Sequence, residues 1–180
     1  MINLFHKVCD SNVPTEELLE HIQITHTNIN DKPKIIDILA NCFDITPNEV
    51  KHQFNVINVD FENSVKVCDD RTGDIYGILI LCHFNIINGS PILNYYPQLG
   101  NILGELKQIN GHSFIIDKRL RGLGVDKKMI SHCQDFVSQF QFIWCGVENS
   151  LKSNHYWERL GFVECLSIDN AKFYIKSTKV

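Results

Sequence analysis

A chain of 180 residues, 44% hydrophobic and 21% charged, can bury one substantial core without disulfides or a structural metal, and its composition is that of an ordinary soluble globular protein. The formal net charge of −4 and pI near 6.0 argue against a duplex-DNA binder, which presents a broad basic face, so any anion bound here is small. The seven cysteines, Cys9, Cys42, Cys68, Cys82, Cys133, Cys145 and Cys165, are widely spaced without a C-x-x-C pair, which excludes a zinc site or disulfide framework and points to reduced core thiols. The opening "MINLFHKVCDSN" has no apolar run of signal-peptide length and no later run reaches membrane-spanning length, so a cytosolic protein that does not engage membranes is expected.

No repeat or linker divides the sequence, which reads as a single domain over 1–180, with an irregular helical first third (1–60) and a core from 64 to 180. "PTEELLEHIQI" reads as a helix begun by Pro14 and Thr15, "DKPKIIDILANCF" as a second with Pro33 in its first turn, and "TPNEVKHQF" as a shorter third. From Ser64 the pattern changes: "SVKVCD", the turn "DRTGD" and "IYGILILCHFNII" predict an antiparallel hairpin. The segment from Gly89 to Gln108 is broken by Pro97, Gly100 and Gly104 and stays ambiguous, with Tyr95 and Tyr96 as candidates to line an acceptor site. "HSFIID" reads as a buried strand. Val125, Met129, Cys133, Phe136 and Phe140 then recur at helical spacing. "QFIWCGVE" follows as a strand, "SLKSNHYWERL" as a helix, and "FVECLSI" with "KFYIKS" as a closing pair of strands, an order that predicts a mixed sheet with helices on its faces.

Between "HSFIID" and its following helix lies "DKRLRGLGVDKKM", with five cations and two glycines in thirteen residues. The first turn of a helix offers unpaired amide N–H groups and partial positive charge, glycine lets an anion approach the backbone, and Lys118, Arg119 and Arg121 add donors, which together make a phosphate socket. The alternative is a tight turn flanked by solvated cations. A P-loop is excluded because no Gly-Lys-Ser/Thr ending is present, and a dinucleotide fingerprint because its third glycine is missing.

What remains is R-x-x-G-x-G, carried by Arg119, Gly122 and Gly124. It resembles the pyrophosphate motif of the GNAT superfamily of acyl-coenzyme A dependent N-acyltransferases, and "SLKSNHYWERLGF", Ser150 to Phe162, resembles that superfamily's C-terminal helix and turn. The resemblance covers roughly the last 70 residues. It implies an α/β (α+β) fold, a mixed, mostly antiparallel sheet with a central splayed parallel strand pair and helices on both faces. It further implies acetyl-coenzyme A or another acyl-coenzyme A as co-substrate, no metal, and an amine acceptor, small molecule or peptide, rather than a nucleic acid, with a homodimer left open. The splayed strands would be "HSFIID" and "QFIWCGVE". The edge at Phe114, Ile115 and Ile116 would bind the pantetheine amides, and the backbone of Arg119, Leu120, Arg121, Gly122, Leu123, Gly124 and Val125 the pyrophosphate. Asn149, Ser150, Ser153 and Trp157 would complete the cofactor contacts.

The same motif departs from the superfamily at its acid. Counting back from Gly161, the residue that is usually a tyrosine, donor of a proton to the departing thiolate, is Trp157, and an indole N–H is far too weak an acid for that role. Tyr156 precedes it by one residue and is turned about 100° around a helix. Asn149 and Tyr156 keep the motif's asparagine-to-tyrosine spacing, so either an extra residue has entered the turn or both positions have changed to Ser150 and Trp157; the second is favoured because "WERLGF" fits the usual turn. His112, in alternation with Phe114 and Ile116, is the first candidate base, and Glu105 the second; Asp117 is expected to stabilise the loop. Three functions compete: transfer of an acyl group to an amine by direct attack, an acyl-coenzyme A binding or sensing module of weak activity, and a nucleotide-phosphate binder of another fold.

Overall fold

Pro14 at the N-cap and Glu16 and Glu17 in the first turn start α1 (Thr15–His21) where expected, but the helix does not continue through "IQI". A computed structural model, which describes residues 14–83, 97–103, 107–148, 154–168 and 171–178, places Ile22–His26 in an edge strand, β1. The physical reason is periodicity: Ile22 and Ile24 alternate with Gln23 and Thr25, and both isoleucines pack on the core. Pro33 opens α2 (Lys32–Phe43), which ends on Asp44 in the left-handed region. A reciprocal capping box between Thr46 and Glu49 fixes the start of α3 (Pro47–Val56).

The predicted hairpin is longer than its motif. β2 (Val59–Asp69) and β3 (Ile75–Cys82) pair antiparallel, and the turn is tied by Asp69, a fully buried carboxylate that accepts from the backbone and guanidinium of Arg71. All of β3 is buried because helices cover both faces. Ile35, Leu39, Val50 and Phe54 of α2 and α3 pack on Ile78 and Ile80, while Leu18 of α1 packs with Val65, Val67 and Leu79 on the other face. The ambiguous segment holds a short helix, α4 (Gln98–Leu103). Tyr95 and Tyr96 lie outside the described residues.

β4 (Gln108–Ile116) starts earlier than "HSFIID". The helix predicted after the glycine loop is two helices, α5 (Val125–His132) and α6 (Gln134–Val137), divided at Cys133, whose thiol donates to the Ile130 carbonyl. The buried stripe is Val125, Met129, Cys133 and Val137, a strict spacing of four, so Phe136 is left half-buried at its rim. β5 (Phe142–Glu148), α7 (Asn154–Arg159), β6 (Val163–Ile168) and β7 (Ala171–Ser177) follow. Trp157 and Phe162 bring α7 onto the same face as α5.

The seven strands form one sheet in the order β1-β2-β3-β4-β5-β7-β6. Every neighbouring pair is antiparallel except β4 and β5. This is the mixed, mostly antiparallel sheet, with one central parallel pair and helices on both faces, that the motifs imply.

Beyond α7 the chain turns through a Schellman cap: Gly161 N–H donates to the Glu158 carbonyl at 2.9 Å and Phe162 N–H to the Trp157 carbonyl at 3.0 Å, with Gly161 at φ 82°. The Phe162 and Trp157 rings meet edge to face at 5.1 Å. Because a Cβ is disfavoured at that φ, Gly161→Ala will destabilise the fold by about 1 kcal/mol, read as a fall in Tm of roughly 2–4 °C for a chain of this size.

Candidate functional site

Three residue pairs hold β4 to β5: Gln108 with Phe142, Ile109 with Ile143 and Asn110 with Trp144. Beyond them the strands part. Asn110, almost fully buried, closes the apex by donating its side-chain amide to the Trp144 carbonyl at 3.2 Å. A bulge follows immediately, since Ile80 is opposite Ser113 but Leu81 is opposite Gly111, which makes His112 the extra residue. A bulge bends its strand and steepens the local twist, so β4 turns away from β5 at the residue where pairing ends. From Gly111 to Ile116 one edge of β4 is hydrogen-bonded to β3 and the other faces the wedge. The wedge lies between the two strands expected to splay, with Phe114, Ile115 and Ile116 along its open edge.

At the wide end of the wedge stands the glycine loop. Asp117, wholly buried, caps a 3₁₀ turn over Lys118–Leu120 by accepting from Arg119 N–H at 3.0 Å. Its carboxylate also takes both arms of the Arg119 guanidinium, Nε at 2.8 Å and Nη2 at 3.0 Å, while that cation lies 5.2 Å from the Tyr76 ring centre. Arg121 turns inward as well, donating Nε and Nη2 to the Ile116 carbonyl, each at 3.1 Å. Burial lowers its pKa, against the opposing pull of Asp117. Neither guanidinium is aimed outward, contrary to the expectation that these side chains serve as outward donors. The open feature is backbone: Gly122 and Gly124 sit at φ 75° and 74°, with no atom within 4 Å of where a Cβ would be, and Gly124 is the N-cap of α5. Lys118, Lys127 and Lys128 are exposed around it. Such a cradle of unhindered amides at a helix start fits a pyrophosphate.

The Schellman cap runs from Trp157 to Phe162 with no additional residue, which is the geometry expected if position 157 itself has changed to tryptophan. Trp157 is 3% exposed and packs on Phe114 at 5.9 Å. Tyr156 is not turned out to solvent: its ring lies 6.2 Å from the same Phe114, and its hydroxyl is buried on the side of the Asp126 carboxylate. Burial, reinforced by the negative charge of Asp126, pushes the phenol pKa well above its ordinary value, so Tyr156 holds its proton. His112 is half-buried, and burial pushes its imidazole pKa down to about 4. Glu105, Asn149, Ser150 and Ser153 lie outside the described residues. Sequence reasoning missed Asn110 and the bulge; a polar residue and a glycine beside a histidine within an apolar strand were the available signal.

No family model matches the sequence, and no curated protein matches it. Solved structures do resemble the fold. A mosquito arylalkylamine N-acetyltransferase-like 5b superposes with TM-score 0.66 at 15% identity, covering 87% of this chain and 99% of that one. A GNAT-family acetyltransferase from Staphylococcus aureus Mu50 gives 0.58 at 17% identity over 88% and 99%, and arylalkylamine N-acetyltransferase 2 from Aedes aegypti 0.59 at 15% over 88% and 99%. The chain therefore has the GNAT fold.

Removing one partner of a buried ion pair is costly, so Asp117→Ala, which takes away the carboxylate that both the loop amide and the Arg119 guanidinium bind, will cost about 3 kcal/mol in urea unfolding. His112 adds a pH dependence. Its folded pKa of about 4 lies below the ordinary 6.5, so between those values the unfolded chain binds more protons and stability rises with pH. The contribution is complete above about pH 6.5 and is lost on acidification toward 4. His112→Gln will flatten that part of the stability profile, measured as urea midpoints from pH 4 to 7.

Proposed function

We propose that this chain is an acyl-coenzyme A dependent N-acyltransferase that moves an acetyl or related acyl group to a small amine by direct attack. One observation carries the proposal: the open edge of β4 leads straight into a glycine cradle at the start of α5. Bound there, the coenzyme supplies an activated thioester. The amides of Gly122 to Val125 and the α5 dipole hold its pyrophosphate. Arg119 and Arg121 act through the loop they brace, and Lys118, Lys127 and Lys128 supply positive charge near the outer phosphate. The edge of Phe114, Ile115 and Ile116 orients the pantetheine amides and directs the thioester along β4 toward the apex.

His112, the extra residue of the bulge where β4 leaves β5, is the candidate acceptor of the proton that the incoming amine must lose, directly or through water. Tyr156 lies against Phe114 beside the wedge and is the group placed to steady the departing thiolate, by a hydrogen bond from a hydroxyl that keeps its proton. Trp157 cannot release a proton and serves as the packing wall behind it. The acceptor class draws support from structural neighbours named as arylalkylamine N-acetyltransferases. A cytosolic setting draws support from the described cysteines, all of which are free.

Titration calorimetry with acetyl-coenzyme A should give saturable one-to-one binding, and free thiol should appear when amines are supplied. Gly124→Ala, strained at its positive φ, should weaken that binding by about tenfold, whereas Tyr156→Phe should leave it unchanged and lower kcat by about 10²-fold or more. A protein that binds no coenzyme A species overturns the proposal. Binding without turnover across a broad amine panel would instead identify a sensing module.

A further inference from the structure

The wedge does not close on solid core. On the face covered by α5, α6 and α7 a cavity continues from its apex, with Gly111 at the entrance, Leu79, Phe114 and Ile143 on the sheet side, and Cys133 and Val137 on the helix side. Resting on the acyl-coenzyme A reading above, we infer that this cavity is an acyl-chain pocket and that the site prefers short acyl chains longer than acetyl, such as propionyl and butyryl.

Position is the first support. The open edge from Ile116 back to Gly111 is roughly 17 Å long at the usual strand rise, comparable to an extended pantetheine arm, so an arm anchored at the glycine loop delivers its thioester beside Gly111. A Cβ at Gly111 would meet the Trp144 carbonyl at 3.8 Å and the Ile143 side chain at 3.9 Å; the missing side chain leaves a passage, not a tight contact. Chemistry is the second. Among the described lining residues there is no carboxylate, and the ionised group is a cation, Lys176, which donates to the Leu160 carbonyl at 2.8 Å and lies over the Phe162 ring. Thr178 already donates to the Phe140 carbonyl. An ammonium-bearing acceptor would meet like charge here, whereas an alkyl tail meets mostly apolar walls, with Lys176 and Thr178 already bonded to backbone carbonyls. The third is a vacancy in the hydrogen bonding: Trp157 lines the same cavity, is 3% exposed, and its indole N–H has no partner among the described residues, a donor suited to the oxygen of an acyl thioester.

The test is a chain-length series on the full chain, titrating free coenzyme A and its acetyl, propionyl and butyryl thioesters. Affinity should rise by about threefold to fourfold per added methylene. Gly111→Val, which narrows the passage, should bring the butyryl-to-acetyl ratio to about one, with Gly111→Ala intermediate; free coenzyme A reports whether each variant retains the site. Equal or falling affinity along the series in the unaltered protein, with coenzyme A still bound, overturns the acyl pocket and leaves the acyltransferase proposal standing. If in addition Gly111→Val abolishes binding of phenylethylamine to the coenzyme-loaded protein, the cavity belongs to the acceptor. Failure of every coenzyme A species to bind overturns both.

Discussion

Everything at the centre of this molecule depends on a parallel ladder that stops after three residue pairs. A sheet normally satisfies each strand's backbone groups from both sides, and giving up that pairing in the interior is costly unless another partner takes them. Here the cost is contained at the apex, where Asn110 donates its side-chain amide to the Trp144 carbonyl. The bulge at His112 then carries β4 away from β5. The antiparallel hairpin on one side and the β5-β7-β6 ribbon on the other stay paired past the point where β4 and β5 part, with local bulges. They hold the two halves apart, so the wedge is a rigid property of the sheet and not of a loop.

The ends of that wedge are built from opposite materials. At the wide end both loop arginines turn inward, Arg119 to the Asp117 carboxylate and Arg121 to the Ile116 carbonyl, and backbone at two left-handed glycines is left open among the exposed Lys118, Lys127 and Lys128. Fixed dipoles of this kind bind an anion without having to reorganise. At the narrow end the surroundings are apolar, with cysteines whose thiols burial keeps protonated, Cys133 at about 11. The two ends of one strand thus differ in the chemistry they offer, backbone donors at one and apolar side chains at the other. This separation is the physical content of the proposal that a thioester cofactor lies along β4.

The C-terminal helix shows how one substitution can leave a scaffold unchanged while altering its chemistry. Trp157 fits the same Schellman cap and the same contact with Phe162 that any large side chain would make. What changes is acidity, and the neighbouring Tyr156 supplies a buried phenol against the same ring of Phe114. On a full helix a shift of one residue would move a side chain to another face. α7 is short, and both aromatic rings lie against Phe114.

Much of this was legible along the chain because its causes are local. The helix over "TPNEVKHQF", the turn at Gly161, the helical spacing from Val125 to Cys133 and the paired glycines of the loop each follow from neighbouring residues, and each was read from the pattern. "IQI" was misread because three residues of alternation are outweighed by the helix before them until a partner strand is present. The break at Cys133 was invisible for a similar reason, since an apolar stripe keeps its spacing across it. The sequence by itself determined the fold class, the order of elements from the β2-β3 hairpin onward apart from the break at Cys133, and the place of the glycine loop between β4 and α5. Tertiary structure decided where the β4 and β5 ladder ends, that both loop arginines turn inward, and that Tyr156 shares Phe114 with Trp157, because each of these depends on groups from distant segments competing for the same space, charge or hydrogen bond.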